Sequence, residues 1–104
     1  MKLSYNRIMN MENIKTLQQA IKKEKILNKY NLEKIGIFGS FARGENANDI
    51  DFYIDKDDYS IQKLINLKKD LEKITNKEID IMIKKYANPI ILYRAEKDMV
   101  YVTQ

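Results

Sequence analysis

The 104-residue chain contains no cysteine, no histidine and no tryptophan, one proline (Pro89) and three glycines. Without cysteine there is no disulfide scaffold and no thiol catalysis. Without histidine as well, a zinc finger and any serine–histidine triad are excluded. Long hydrophobic runs are missing too. No stretch of about twenty apolar residues could cross a bilayer, and Met1–Met11 lacks the apolar centre of a signal peptide, so the chain is expected in the cytoplasm and away from membranes. No linker, repeat or low-complexity tract interrupts it. Arginine is scarce: of nineteen basic residues only Arg7, Arg43 and Arg94 are Arg, and sixteen are Lys. Specific nucleic-acid recognition draws on the planar Arg fork. The lysines are scattered from Lys2 to Lys97 with no block longer than two, so they read as solvated faces. Direct nucleic-acid binding is not expected despite the net charge of +4. What remains for chemistry is carboxylates, hydroxyls, Lys, Arg and backbone amides, a set suited to hard cations and phosphate.

Apolar surface is present in quantity: 44% of residues are hydrophobic and sixteen are isoleucine, enough to exclude disorder and fill one modest core. The length fits one domain, residues 1–104, with Met1–Met11 a loose arm. From Asn13 the spacing of Ile14, Leu17, Ile21, Leu27 and Tyr30 predicts one amphipathic helix ending near Asn31. Lys34–Gly39 is short, β-branched and glycine-bounded, a buried strand. Asp49–Ile54 alternates, with Ile50, Phe52 and Ile54 facing one way and Asp49, Asp51 and Tyr53 the other. Ser60 can cap a second long helix through Ile74. Glu78–Ile83 alternates again, Ile79, Ile81 and Ile83 against Asp80 and Met82. Asn88–Pro89 opens a short helix to about Lys97, and Met99–Val102 is an edge strand or a docking tail. The order predicts an α/β (α+β) fold, a small mixed sheet with helices packed on one face.

Three acids stand where a packing sheet would not place them. The pleat projects Asp49 and Asp51 together, away from the isoleucine face, and Asp80 likewise from its own strand. If the two strands are neighbours, three carboxylates converge on the uncovered face. Singly, such aspartates are usually just solvated. Together they repel and raise one another's pKa unless a cation holds them, and paired Mg²⁺ ions sharing carboxylates are the recurring apparatus for in-line attack on phosphorus. Just upstream, Gly39-Ser40-Phe41-Ala42-Arg43-Gly44 follows a strand and opens a helical turn. Gly39 permits close backbone approach. Ser40 offers a hydroxyl and an amide where a helix N-terminus favours phosphate, and Arg43 can add a bidentate contact. A Gly-Ser after a strand is by itself usually a turn, and no Gly-Lys-Ser/Thr makes this a Walker loop.

Gly39-Ser40, Arg43-Gly44, Asp49-Ile50-Asp51 and Asp80 together resemble the signature of the DNA polymerase β-type nucleotidyltransferases. The wording IGIFGSFARGE…DIDFYI is most similar to the minimal nucleotidyltransferases (MNT), over roughly Ile14–Val102. The stretch from Phe41 to Asn48 is shorter than is usual there, and Asn48 stands where a Ser commonly precedes the first Asp. The resemblance implies the polymerase β-like fold and two-metal transfer of AMP from ATP. It implies that Asp49 and Asp51 hold both Mg²⁺ ions, that Asp80 completes one site and helps deprotonate the acceptor, and that Ser40 binds triphosphate, with Gly39 and Arg43 beside it as the further candidate nucleotide-binding residues of the turn. Many members are antitoxins paired with HEPN-domain ribonuclease toxins, some adenylylating a toxin tyrosine, so the implied partners are ATP and a HEPN-type toxin.

Other features weigh less. Asp55, Asp57 and Asp58 would need a Gly at the position of Ser60 to form a calcium loop, so they read as a solvated turn. Tyr53 is a good strand residue that could instead stack on a base. The apolar residues within 89–102 read as core, or as an interface for a hetero-oligomer. The rival to catalysis is a non-catalytic module that neutralises a partner by contact alone.

Overall fold

The computed structural model describes residues 13–104, and the expected arm Met1–Met11 lies outside them. Asn13 accepts a hydrogen bond from the Thr16 amide at 2.9 Å and caps helix α1 (Ile14–Lys23), satisfying a donor the first turn cannot pair internally. Leu17 and Ile21 are fully buried. The expected single helix to Asn31 is two helices instead. Lys25 takes the left-handed conformation (φ 54°) and a separate turn, α2 (Ile26–Lys29), follows. The reason is phase. The stripe Ile14, Leu17, Ile21 next demands apolar residues at 24, 25 or 28, and the chain offers Glu24, Lys25 and Asn28. Breaking the helix turns Ile26 and Leu27 inward, both buried. A left-handed residue costs about 1–2 kcal/mol, less than the roughly 1.5–3 kcal/mol gained per buried aliphatic side chain. Asn31 (φ 56°) then ends the segment as Asn readily does.

The sheet has strand order β3-β2-β1-β4. Strands β1 (Lys34–Phe38) and β2 (Asp49–Ile54) are antiparallel, and β4 (Val100–Thr103) pairs antiparallel on the other side of β1 as an edge strand. Strand β3 (Glu78–Ile83) runs parallel to β2. A parallel neighbour needs a crossover, which α4 (Ile61–Thr75) supplies. Ser60 caps it, accepting from the Lys63 amide, and Asn76 ends it at φ 55°. Between β1 and β2 lies one helical turn, α3 (Gly39–Ala42). After β3 come a 3-10 turn (Lys84–Tyr86) and α5 (Pro89–Glu96), which Asn88 caps through the Ile90 and Ile91 amides. None of the described helices is long and apolar enough to cross a membrane.

One face of the sheet carries Ile35, Ile37, Ile50, Phe52, Ile54, Ile79 and Val102, which share a core with Leu17 and Ile21 of α1, Ile26 and Leu27 of α2, and Leu67 and Leu71 of α4. The opposite face carries, in one row, Met82, Tyr53, Gly36 and Tyr101. A Cβ on Gly36 would lie 2.5 Å from Met99 Sδ, so glycine here admits Met99 onto the sheet. Tyr53 and Ala95 of α5 are buried but stand outside the main core. The second face is thus closed at Tyr53 and Gly36 and left open one row away, where the aspartates stand.

Candidate active site

Asp49 and Asp51 leave β2 on the open face because the intervening Ile50 and the following Phe52 are fully buried on the other. The parallel register sets Asp51 beside Asp80 and Asp49 beside Glu78. Asp49, Asp51 and Asp80 each present a carboxylate oxygen within 4.8 Å of the others. Among the described residues none of the three is in an ion pair. Burial first, then the charges of Asp49 and Asp80, push the Asp51 carboxyl above the usual carboxylate range. The trio is an anionic cluster with no ion-pair partner among the described residues, and three hard oxygen donors on one face fit a divalent cation such as Mg²⁺.

Backbone ties hold the cluster in place. The Lys77 ammonium donates to the Ala47 carbonyl at 2.9 Å, and the Glu78 amide donates to the Asn48 carbonyl at 3.3 Å, so the entry to β2 is fastened to the entry to β3. Sequence reading missed Lys77, since a lysine after a helix C-cap carries no local signal. Gly39 lies at the end of the β1–β2 ladder, one residue past the Phe38–Asp51 pair. Its φ is 77° and a Cβ there would collide with Asp51 Oδ2, so side-chain-bearing residues are refused twice. Phe41, 2% exposed, anchors the α3 turn in the core, leaving Ser40 half-buried beside it. The first amides of α3 have no intrahelical partner and no side-chain cap. One turn carries little macrodipole, so these amides and the Ser40 hydroxyl are the usable donors.

Arg43 is engaged differently from a free phosphate ligand. Nε and Nη2 donate to Glu45 at 2.8 and 3.3 Å, and Nη1 donates to Asp98 at 2.7 Å. It braces the end of α3 against the turn between α5 and β4, and holds the Glu45 carboxyl below its usual range. Tyr53 is 4% exposed and its phenol is pushed up to about 12, by burial above all and then by Asp55, Tyr101 and Glu96. It is a packing residue, with no ring face free for a base. Asp55 pairs at 3.6 and 3.5 Å with Lys34 and Lys84, while Asp57 and Asp58 are exposed in the turn. A groove between α1 and α4, lined by Thr16, Lys23, Asp70 and Lys73 among others, belongs to the helical layer across the sheet from the aspartates. At the acid face Asp49 and Asp51 are half-buried and Asp80 is exposed.

Residues 15–104 match the family described as polymerase beta, nucleotidyltransferase. A putative protein adenylyltransferase of Methanocaldococcus jannaschii is 33% identical over 100 residues, covering 88% of this chain and 100% of that protein. The protein adenylyltransferase MntA of Thermococcus cleftensis is 30% identical over 98 residues, covering 91% of this chain and 98% of that one. Among solved structures, a toxin–antitoxin complex of MntA superposes with a TM-score of 0.63 at 20% identity, over 77% of this chain and 68% of that chain. A Shewanella oneidensis complex of MNT antitoxin with a tri-AMPylated HEPN toxin gives 0.60 at 20%, over 82% and 71%. The two structures are likenesses of fold.

Proposed function

This chain belongs to the polymerase beta nucleotidyltransferase family, and from that premise we propose that it moves AMP from ATP to a tyrosine hydroxyl of a HEPN-type ribonuclease toxin in the cytoplasm, acting as its antitoxin. One observation carries the reading: Asp49, Asp51 and Asp80 converge, unpaired, on an open face beside the Gly39-Ser40 turn. The three carboxylates fit Mg²⁺; Asp49 and Asp51 would hold the two ions and Asp80 would complete one site. Bound metal would offset the charge of the triphosphate and of the departing pyrophosphate. The α3 amides and the Ser40 hydroxyl donate to triphosphate oxygens. The acceptor oxygen attacks the α-phosphorus, its bond to the pyrophosphate oxygen breaks, and Asp80 takes the hydroxyl proton. Gly39 lets the backbone approach, and Arg43 keeps the turn in place through Glu45 and Asp98. An acid face with Asp80 exposed suits an acceptor carried on another protein. That agrees with relatives named protein adenylyltransferases and with an AMPylated toxin in one structural likeness.

Contact-only neutralisation is the second reading, favoured by the apolar residues exposed on α5. Incubation with Mg²⁺, α-labelled ATP and a HEPN toxin separates the two. Label should appear on the toxin with wild type and vanish with Asp49→Asn/Asp51→Asn. Neutralisation that survives the double substitution, with no label ever transferred, would leave contact as the mechanism.

A further inference from the structure

Helix α5 exposes apolar surface that the described residues leave uncovered. Ile90, Ile91 and Tyr93 are 64%, 52% and 65% exposed, and Tyr86 just before them 77%. The helix is nevertheless firmly seated. Asn88 caps its start, Ala95 is buried near its end, Asp98 accepts from Arg43, and Met99 occupies the space that Gly36 leaves. Through Arg43 the turn that follows α5 is tied to the α3 turn, and that turn adjoins Asp51. Cations border the apolar residues: Lys84, Lys85, Arg94 and Lys97 are exposed, with Lys97 over the Tyr93 ring at 5.0 Å and Lys85 over Tyr86 at 5.7 Å. Glu96 is the sole carboxylate of the helix. Two such faces would oppose like charges, which disfavours a second copy as the occupant. The complement is a protein surface with an apolar centre and an acidic margin.

We infer that the outer face of α5 is the docking surface for the acceptor protein, met by an apolar patch rimmed with Asp and Glu, and that the Arg43–Asp98 brace keeps this partner in register with the aspartates. The inference rests on the transfer reading for the identity of the partner. The test is the affinity of a purified HEPN-domain toxin for the full chain. Ile90→Glu/Tyr93→Glu should weaken binding roughly tenfold or more, as a charge at an interface centre does. Arg94→Glu/Lys97→Glu should weaken it and flatten its salt dependence. Neither pair touches the acid face, so melting temperature and Mg²⁺–ATP titration should stay as in wild type. Unchanged toxin affinity in both variants overturns the inference, as does a wild type that never binds the toxin. Loss confined to phosphatidylserine vesicle binding would mean a lipid surface instead, and wild-type dimers that Ile90→Glu dissociates in ultracentrifugation would mean a second copy. Either result refutes the proposed occupant. Toxin binding lost in both variants, with no label transferred by wild type, sinks the transfer reading and leaves the docking face standing. Labelled toxin with unaltered binding does the reverse.

Discussion

Asp51→Asn should make the metal-free protein more stable at neutral pH while ending transfer. The three carboxylate oxygens lie within 4.8 Å of one another. Two unit charges at that separation repel by about 0.9 kcal/mol in bulk water and about 3.5 kcal/mol at an effective dielectric of 20. Asp51 is half-buried and Asp80 exposed, so the lower end governs, and relieving two repulsions yields about 2 kcal/mol. For a domain of this size each kcal/mol moves Tm by about 4–8 °C, so the variant should melt on the order of 10 °C higher in EDTA at pH 7. The sign follows from the direction of the Asp51 shift. Its carboxyl holds a proton more tightly folded than unfolded, so the folded state loses stability as pH rises from the ordinary carboxylate value through the raised one. The advantage of Asn should therefore shrink as pH is lowered towards the ordinary value. Millimolar Mg²⁺ should close the gap by stabilising wild type and not the variant. Thermal melts by circular dichroism at several pH values, with EDTA or Mg²⁺, decide it. A variant that melts at or below wild type in EDTA at pH 7, or that gains as much from Mg²⁺, would refute the reasoning.

Asp80→Asn, an isosteric change on an exposed strand residue, should abolish label transfer without destabilising the metal-free protein, the relieved repulsions adding up to about 2 kcal/mol as at Asp51, read by the labelling assay and denaturant melts together. Gly39→Ala should cost about 1–2 kcal/mol for the left-handed backbone alone and, by displacing the Asp51 carboxylate, should also weaken Mg²⁺–ATP binding in calorimetry. If Arg43 is a brace, Asp98→Asn should raise the KM for ATP in the same sense as Arg43→Met. An Asp98→Asn enzyme with unchanged or improved KM would instead mean that Arg43 reaches phosphate directly.

The strands and the aspartates were legible because both are written locally. Period-two alternation in DIDFYI and EIDIMI sets which side chains share a face, and that alone predicts a trio once the strands are neighbours. The caps at Ser60 and Asn88 and the left-handed ends at Asn31 and Asn76 were equally local. The helix break at Lys25 escaped because no Gly or Pro marks it, although the out-of-phase Glu24 and Lys25 were a readable sign. The pairing of Arg43 with Asp98 was not legible for a different reason. Asp98 lies far along the chain, and a guanidinium near a Gly-Ser turn looks the same whether it awaits phosphate or is already braced by carboxylates. Tyr53 shares the aspartate parity, and only the packing around Gly36 shows that its row is closed.

The parallel pairing of β2 with β3 sets a timetable for the nascent chain. A ribosome delivers β1, the Gly39-Ser40 turn and β2 first, as a hairpin that can close on its own short-range contacts. Asp80 emerges only after the whole of α4 has been made and laid back across the sheet. Until then an emerging polypeptide holds two of the three acids, so the trio is assembled in a single late event.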